Sequence, residues 1–303
     1  MIPSKPLTVI PHPQPQRRVR RQWMTVAAGF QCNDGIVICA DSQESSGDYK
    51  LPVEKLLAKS DPWTEVVIAG SGTGPLVDMA AQRIARALLG GYGDYRVIED
   101  RVGDVLTGLY ETEFRLYPTV SSPDDNFIEL IIGVKLKKAE VPILLHCAAT
   151  AIVHVENYAV IGSGRAVQYQ THSLYGKRME VSSGVLLAIR LLAVAKQVLS
   201  SVGGRGRIAS LHVGNTQMGE AHPWEIAETE KAFQKFSVEA DKLLLDFADL
   251  KITDAIFIQK LQDFVGWTVW LRNEHKKGAE GFEQLMHRLT EGSTPSDSQT
   301  STG

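Results

Sequence analysis

The order of the strand-like and helix-like segments is the feature that most constrains the fold of this chain. Two short apolar runs, 25–30 and 35–40, flank the turn sequence CNDG, which is typical of a β-hairpin. Further strand patterns follow one another in groups, and helix patterns come in blocks rather than after every strand. Because a doubly wound parallel sheet alternates strands with helices, this order instead predicts two antiparallel sheets with helices packed outside them.

The other predicted elements follow in chain order. Strands are predicted at 64–74, 127–136, 141–148, 158–162 and 207–214, and the first of them ends in a glycine-rich turn. Helices are predicted at 75–89, 97–116, 182–199, 223–249 and 254–289. Bulky residues recur at helical spacing in the last helix, which favours packing against the domain or a neighbouring subunit.

Composition and charge exclude several classes of function. The chain has 303 residues, 44% of them hydrophobic, and a net charge of −3, so it lacks the basic field expected of a nucleic-acid or membrane-surface protein. Its three cysteines, Cys32, Cys39 and Cys147, have no metal-ligand spacing and fit buried thiols in a reducing compartment. No run has the uninterrupted apolar length of a membrane span. We therefore expect a cytoplasmic protein without a metal.

The two ends of the chain differ from its middle. Residues 1–24 are rich in proline and arginine and are predicted to be a disordered leader or the result of a mis-assigned start. Residues 290–303 have the composition of a disordered tail. Between them, we predict a hydrolase-like domain at 25–215 and a helical extension at 216–289.

Four features of the first strands suggest nucleophilic chemistry: Thr25, Asp41, Lys55 and the glycine-rich turn at 70–74. A threonine hydroxyl needs a base, and removal of Met24 would provide one in the α-amine of Thr25, whose pKa is about 7.7–8.0. A lysine would lower that pKa, a carboxylate would hold the lysine, and a turn N–H could stabilise an oxyanion. Taken singly, each residue is more often a strand, turn or surface residue.

The ordered set of motifs resembles the proteasome β-type subunits and their bacterial relatives, which are N-terminal-nucleophile threonine peptidases. The match begins at TVAAGFQCNDGIVICADSQESSG, where Thr25, Gly35 and Asp41 fall at the family spacing. EKLLAKSD is similar to the family's next strand and gives Lys55 the lysine role, with Lys59 as the alternative.

Two later motifs extend the resemblance over residues 25–215. VVIAGSGTG is similar to the strand and turn in which the family places its oxyanion N–H, here Gly70. VIGSG matches the family's Gly-Ser-Gly motif and makes Ser163 the serine near the nucleophile. The resemblance implies an α+β fold, the four-layer αββα sandwich of the N-terminal-nucleophile hydrolases, with extra C-terminal helices.

The chain also departs from the family. After AKQ the family has Asp-x-x-Ser-Gly-Gly, whereas Leu199 and Val202 replace the acid and the serine here. Ser200 or Ser201 would substitute only in part, and Gln43 stands where the family has an arginine. These residues help to organise the nucleophile in the family, so their replacement favours a second hypothesis, a non-catalytic scaffold subunit.

The resemblance implies peptide-bond hydrolysis through an acyl ester on Thr25, without a cofactor. A small-molecule amidase of the same nucleophile class is a third hypothesis. The implied partners are a peptide or unfolded protein substrate, further copies of the chain in a homo-oligomeric ring, and an ATPase or other regulatory protein.

The chemistry requires a free Thr25 amine although Thr25 is internal. Our simplest hypothesis is that Met24 is the true initiator and is trimmed by a methionine aminopeptidase. The alternative is a leader that another protease removes, with RRVRRQW as an accessible target.

Overall fold

The computed structural model describes residues 25–46, 49–90, 94–114, 128–139, 141–176, 179–214 and 217–291. The predicted leader and all but the first two residues of the predicted tail lie outside these ranges, and the division into domains remains a prediction. The strands are β1 (Val26–Cys32), β2 (Gly35–Ala40), β3 (Gln43–Ser46), β4 (Tyr49–Pro52), β5 (Leu56–Ser60), β6 (Thr64–Gly72), β7 (Ile128–Leu136), β8 (Ile143–Ala148), β9 (Ala151–His154), β10 (Tyr158–Gly162), β11 (Arg207–His212) and β12 (Gly219–Glu220). The α-helices are α1 (Gly74–Leu88), α2 (Tyr95–Leu109), α3 (Gln168–Leu174), α4 (Val181–Val198), α5 (Pro223–Ala248) and α6 (Asp254–Glu291).

The strands form two five-stranded antiparallel sheets, as the order of the sequence patterns predicts. The first sheet has the order β10-β1-β2-β11-β12, and the second has the order β5-β6-β7-β8-β9. Strands β3 and β4 form a separate hairpin that the sequence patterns do not predict. Neighbouring strands within each sheet are mostly consecutive in the chain, which explains why the strand patterns occur in groups.

Three apolar clusters hold these elements together. One lies between the sheets and includes Ile38 of the first sheet and Ile131 of the second. The second joins the first sheet to α4, and the third joins the second sheet to α1 and α2. Each strand of the pairs β1–β2 and β6–β7 is therefore buried on both faces, which accounts for their nearly continuous apolar sequences.

Helix α4 is the one helix of the described residues that is long and apolar enough to cross a membrane by length and composition. More than half of it is buried, and its apolar residues pack on β1 and β2, as in the core helix of a folded domain. It begins at Val181, one residue before the predicted range. The Val181 N–H donates to the Asp34 carboxylate at 2.7 Å, so a residue of the β1–β2 turn caps this helix.

Candidate functional site

A buried ion pair forms the centre of the candidate site. The Asp41 carboxylate follows β2 and is fully buried, and the Lys55 ammonium lies 3.0 Å from its Oδ1 and 3.2 Å from its Oδ2. The ammonium also donates to the Gln43 carbonyl. The sequence left two lysines as candidates for this partner. The structure brings Lys55 to Asp41, whereas Lys59 is exposed on β5.

Thr25 is tied to this pair through its backbone neighbours. The Val26 N–H donates to Asp41 Oδ1 at 3.0 Å, and the Asp41 N–H donates to the Val26 carbonyl at 3.0 Å. On its other side, the Thr25 carbonyl accepts a hydrogen bond from the Ser163 N–H at 2.8 Å. Thr25 itself is buried. The structure thus brings together four of the predicted site residues. Ser163 binds the Thr25 carbonyl, Asp41 binds the backbone of the next residue, Val26, and Lys55 is paired with Asp41.

Gly162 is the last residue of β10 and directly precedes Ser163. Its φ of +64° is a left-handed conformation that favours glycine. A Cβ atom at this position would lie 2.3 Å from the Thr25 carbonyl oxygen and 2.4 Å from the Ser71 hydroxyl. The Ser71 hydroxyl is buried and has no hydrogen-bond partner among the described residues. Because Gly162 has no side chain, the Thr25 carbonyl and the Ser71 hydroxyl can both approach it closely.

Gly70, the predicted oxyanion residue, lies on β6 near the ion pair. Strands β5 and β6 are antiparallel, and Leu56 pairs with Ala69. Lys55, which precedes Leu56, is therefore next to Gly70, which follows Ala69. A Cβ atom on Gly70 would point away from the other sheet, at 2.3 Å from a methyl group of Val77 on α1. Glycine is required here because helix and strand approach closely.

The segment after α4 has apolar residues at the two positions where the proteasome β-type subunits that the sequence resembles have an acid and a serine. Val202 is buried in the cluster around α4, and Leu199 packs against the same cluster. Ser200 is exposed. The backbone of the segment still reaches the site, because the Gly203 N–H donates to Asp41 Oδ2 at 3.4 Å. A Cβ atom on Gly203 would lie 2.3 Å from the Gln43 side-chain oxygen, so Gln43 and this segment are in close contact.

A second polar cluster, centred on Glu129 of β7, was not predicted from the sequence. Glu129 is buried directly opposite Ser71 on β6, and its Oε2 accepts the Gly162 N–H at 3.4 Å. Its Oε1 accepts a hydrogen bond from Arg165 and lies 3.5 Å from His146 Nε2. The sequence does contain a signal for this residue, since an acid inside the apolar run FIELIIGVKL must be paired when it is buried.

The Glu129 carboxyl stays ionised at neutral pH. Burial raises its pKa, but the neighbouring His146, the charge of Arg165 and the Gly162 N–H outweigh burial and hold the pKa below its usual value of 4.5. The three cysteines behave differently, because burial raises the pKa of Cys32, Cys39 and Cys147 to about 12. They are inert core residues at neutral pH.

Solved structures of Anbu, the ancestral β-subunit, match this chain. The structure from Yersinia bercovieri has a TM-score of 0.59 and 14% identity, over 74% of this chain and 97% of that chain. The structure from Hyphomicrobium sp. strain MC1 has a TM-score of 0.57 and 16% identity, over 76% and 99%. The Anbu complex from Pseudomonas aeruginosa, a helical assembly, has a TM-score of 0.58 and 11% identity, over 72% and 95%. This chain has the fold of Anbu.

The matches cover almost the full length of the Anbu chains and about three quarters of this one. No protein-family model and no curated protein matches the chain. At these identities the likeness establishes the mixed α/β fold with two antiparallel sheets, and the activity has to be argued from the site.

Proposed function

We propose that this protein is a proteasome-like threonine peptidase of the cytoplasm, built as a four-layer αββα sandwich, in which Thr25 is the N-terminal nucleophile. The observation that carries the proposal is the buried Asp41–Lys55 pair, bonded to the residue that follows Thr25. A buried ion pair is costly to form and contributes little net stability compared with apolar residues. Its presence beside a threonine at a strand start therefore supports a role in chemistry.

In the proposed reaction, the Thr25 hydroxyl attacks a peptide carbonyl and its proton passes to the Thr25 α-amine. The Gly70 N–H stabilises the oxyanion, the amine of the leaving peptide takes the proton, and an ester on Thr25 remains. Water then hydrolyses the ester. The Lys55 charge favours the neutral, proton-accepting form of the amine, and Asp41 keeps Lys55 in place. Ser163 holds the Thr25 carbonyl through its own N–H. No cofactor is needed.

A non-catalytic scaffold is the second candidate function. It is favoured by the burial of Val202 and the packing of Leu199, which leave apolar side chains where the resembling family has an acid and a serine. In that case Thr25 would remain internal and its hydroxyl would have no amine to activate it.

The first test measures the position of the N-terminus and the rate of peptide hydrolysis. We expect the mass of protein purified from its native source to correspond to a chain that begins at Thr25. We expect this protein to hydrolyse unfolded casein, and we expect Thr25→Ala to abolish hydrolysis because the attacking oxygen is lost. Thr25→Ser, which keeps a hydroxyl, should retain part of the activity and serves as the matched control. Variants are produced as chains that begin at residue 25 after removal of Met24.

Two results would count against the peptidase. A native chain that keeps residues 1–24 would favour the scaffold, because the α-amine of Thr25 would be blocked. Unchanged casein hydrolysis in a folded Thr25→Ala protein would reject Thr25 as the nucleophile. Circular dichroism of each variant checks the fold.

The C-terminal helices support the proposal that the chain assembles with copies of itself. Helices α5 and α6 pack together through aromatic pairs, with ring centroids 5.6 Å apart for Phe236 and Phe264 and 5.9 Å apart for Phe247 and Phe257. The far end of this helical pair still exposes large apolar side chains. They are Leu244, Leu245, Phe247, Leu250, Ile256 and Ile258, which we call the hairpin-tip residues. Large apolar side chains exposed together at one end of a helical pair are typical of an interaction site. The helical assembly of the Anbu complex from Pseudomonas aeruginosa favours a second copy as the occupant, and a closed ring is the form that the family resemblance implies.

We expect size-exclusion chromatography with light scattering to show a mass larger than one chain. The variant Leu244→Glu/Leu245→Glu should shift the protein toward the monomer, because two charges would have to be buried at the contact. Leu174→Glu, at an exposed apolar position at the end of α3, should leave the assembly unchanged. A wild-type monomer at working concentration, or equal dissociation in both variants, would contradict assembly through the hairpin tip.

A further inference from the structure

We infer that Glu129 is a positioning residue for Thr25, acting through the Gly162–Ser163 turn. The inference rests on the proposed function for its catalytic consequence, whereas its structural basis is independent of it. Glu129 belongs to the second sheet and Thr25 to the start of the first. The turn that joins them therefore fixes the nucleophile relative to the sheet that carries Gly70.

The chain of contacts is short and consists of two hydrogen bonds, one from a backbone N–H to a carboxylate and one between backbone groups. Glu129 Oε2 accepts the Gly162 N–H, and the next N–H along the chain, that of Ser163, donates to the Thr25 carbonyl at 2.8 Å. Gly162 is also the strand partner of Val26. Any displacement of Gly162 therefore moves the residues on both sides of the Thr25 carbonyl.

The left-handed conformation of Gly162 explains why the turn needs an external support. A glycine has more accessible backbone conformations than other residues, so it loses more conformational freedom when it is held at one of them. The Glu129 carboxylate offers a charged acceptor to the Gly162 N–H at 3.4 Å, and a charged acceptor attracts an N–H more strongly than a neutral one at the same distance. The carboxylate is in turn oriented by Arg165, which follows the turn by two residues and is half exposed.

The other end of the same two strands provides a matched control. Glu65 on β6 pairs with Lys135 on β7 at 3.8 Å, and both side chains are buried on the same face as Ser71 and Glu129. Glu65 is six residues from Ser71 along β6, or about 20 Å in an extended strand. Glu65→Ala removes a buried carboxylate from these strands without touching Gly162.

The experiment compares Glu129→Ala, Glu129→Gln and Glu65→Ala in the full chain and in the chain that begins at Thr25. With casein as substrate, we expect Glu129→Ala to lower kcat by about 10- to 100-fold with little change in KM, because a displaced nucleophile affects the reacting geometry more than substrate binding. The glutamine of Glu129→Gln keeps an acceptor for the Gly162 N–H and should restore part of kcat. Glu65→Ala should keep kcat within about threefold of the wild type.

Hydrogen exchange supplies a readout that does not depend on activity. We expect amides in 25–32 and 158–167 to exchange faster in Glu129→Ala than in the wild type and in Glu65→Ala. Loss of the Glu65–Lys135 ion pair lowers the global stability, so any acceleration in Glu65→Ala should be shared by all protected amides rather than concentrated in these two segments. Unchanged exchange in Glu129→Ala, or equal acceleration by both alanine variants, would overturn the inference. If wild-type turnover proves independent of Thr25, the proposed function fails, and the exchange comparison alone decides whether Glu129 positions the Thr25 strand.

Discussion

The variant Lys55→Met is expected to lose casein hydrolysis and to lower the free energy of unfolding by about 3 kcal/mol. The Asp41 carboxylate is fully buried, so removal of its cation leaves a charge without its ionic partner in the core. Breaking a buried ion pair by removing one partner costs about 3–5 kcal/mol. We expect the lower end of this range because three N–H groups, from Val26, Gln43 and Gly203, still donate to Asp41.

Lys59→Met is the matched control, because Lys59 is exposed on the strand that follows Lys55. Urea unfolding at pH 7 should show a change below about 0.5 kcal/mol for this variant. The double variant Asp41→Asn/Lys55→Met should be more stable than Lys55→Met, since it removes the unpaired charge, and it should be equally inactive. A larger loss of activity in Lys59→Met than in Lys55→Met would transfer the lysine role to Lys59.

The second large effect is expected for Gly162→Ala. A left-handed conformation costs a residue with a Cβ atom about 1–2 kcal/mol. At Gly162 the Cβ atom would additionally lie 2.3 Å from the Thr25 carbonyl oxygen, which is a backbone atom and cannot rotate away. We therefore expect a loss of stability beyond the conformational cost, and a fall in kcat on the order of 100-fold because the Thr25 strand has to move.

Gly214→Ala separates the clash from the backbone strain. Gly214 has a φ of +66°, almost the same as Gly162, but no described atom lies within 4 Å of its Cβ position. The Gly214→Ala variant should lose only about 1–2 kcal/mol of unfolding free energy, the cost of the left-handed conformation, and its turnover should be unchanged. Equal effects of the two alanine variants on turnover and on the urea midpoint would show that the contact between Gly162 and Thr25 is unimportant.

The sequence by itself predicts the elements whose signals are local. Hairpin residues, apolar runs and helical spacing lie within a few positions of one another, so β1, β2 and the long helices are predicted nearly at their observed bounds. The grouped order of these patterns is sufficient to predict two antiparallel sheets. The β3–β4 hairpin was missed because each strand has only four residues and β3, QESS, is entirely polar, so no hydrophobic period extends across the pair.

Only the tertiary structure decides which polar groups meet. Asp34 caps α4 across 147 positions, Gly203 reaches Asp41 across 162, and Glu129 supports Gly162 across 33. No local pattern specifies these partners, because each contact depends on the register of strands and on the packing of two sheets. The choice between the two lysines is decided in the same way. Both follow Asp41 at a plausible distance along the chain. The path of the backbone before β5 brings Lys55 to the carboxylate, whereas Lys59 is exposed to solvent.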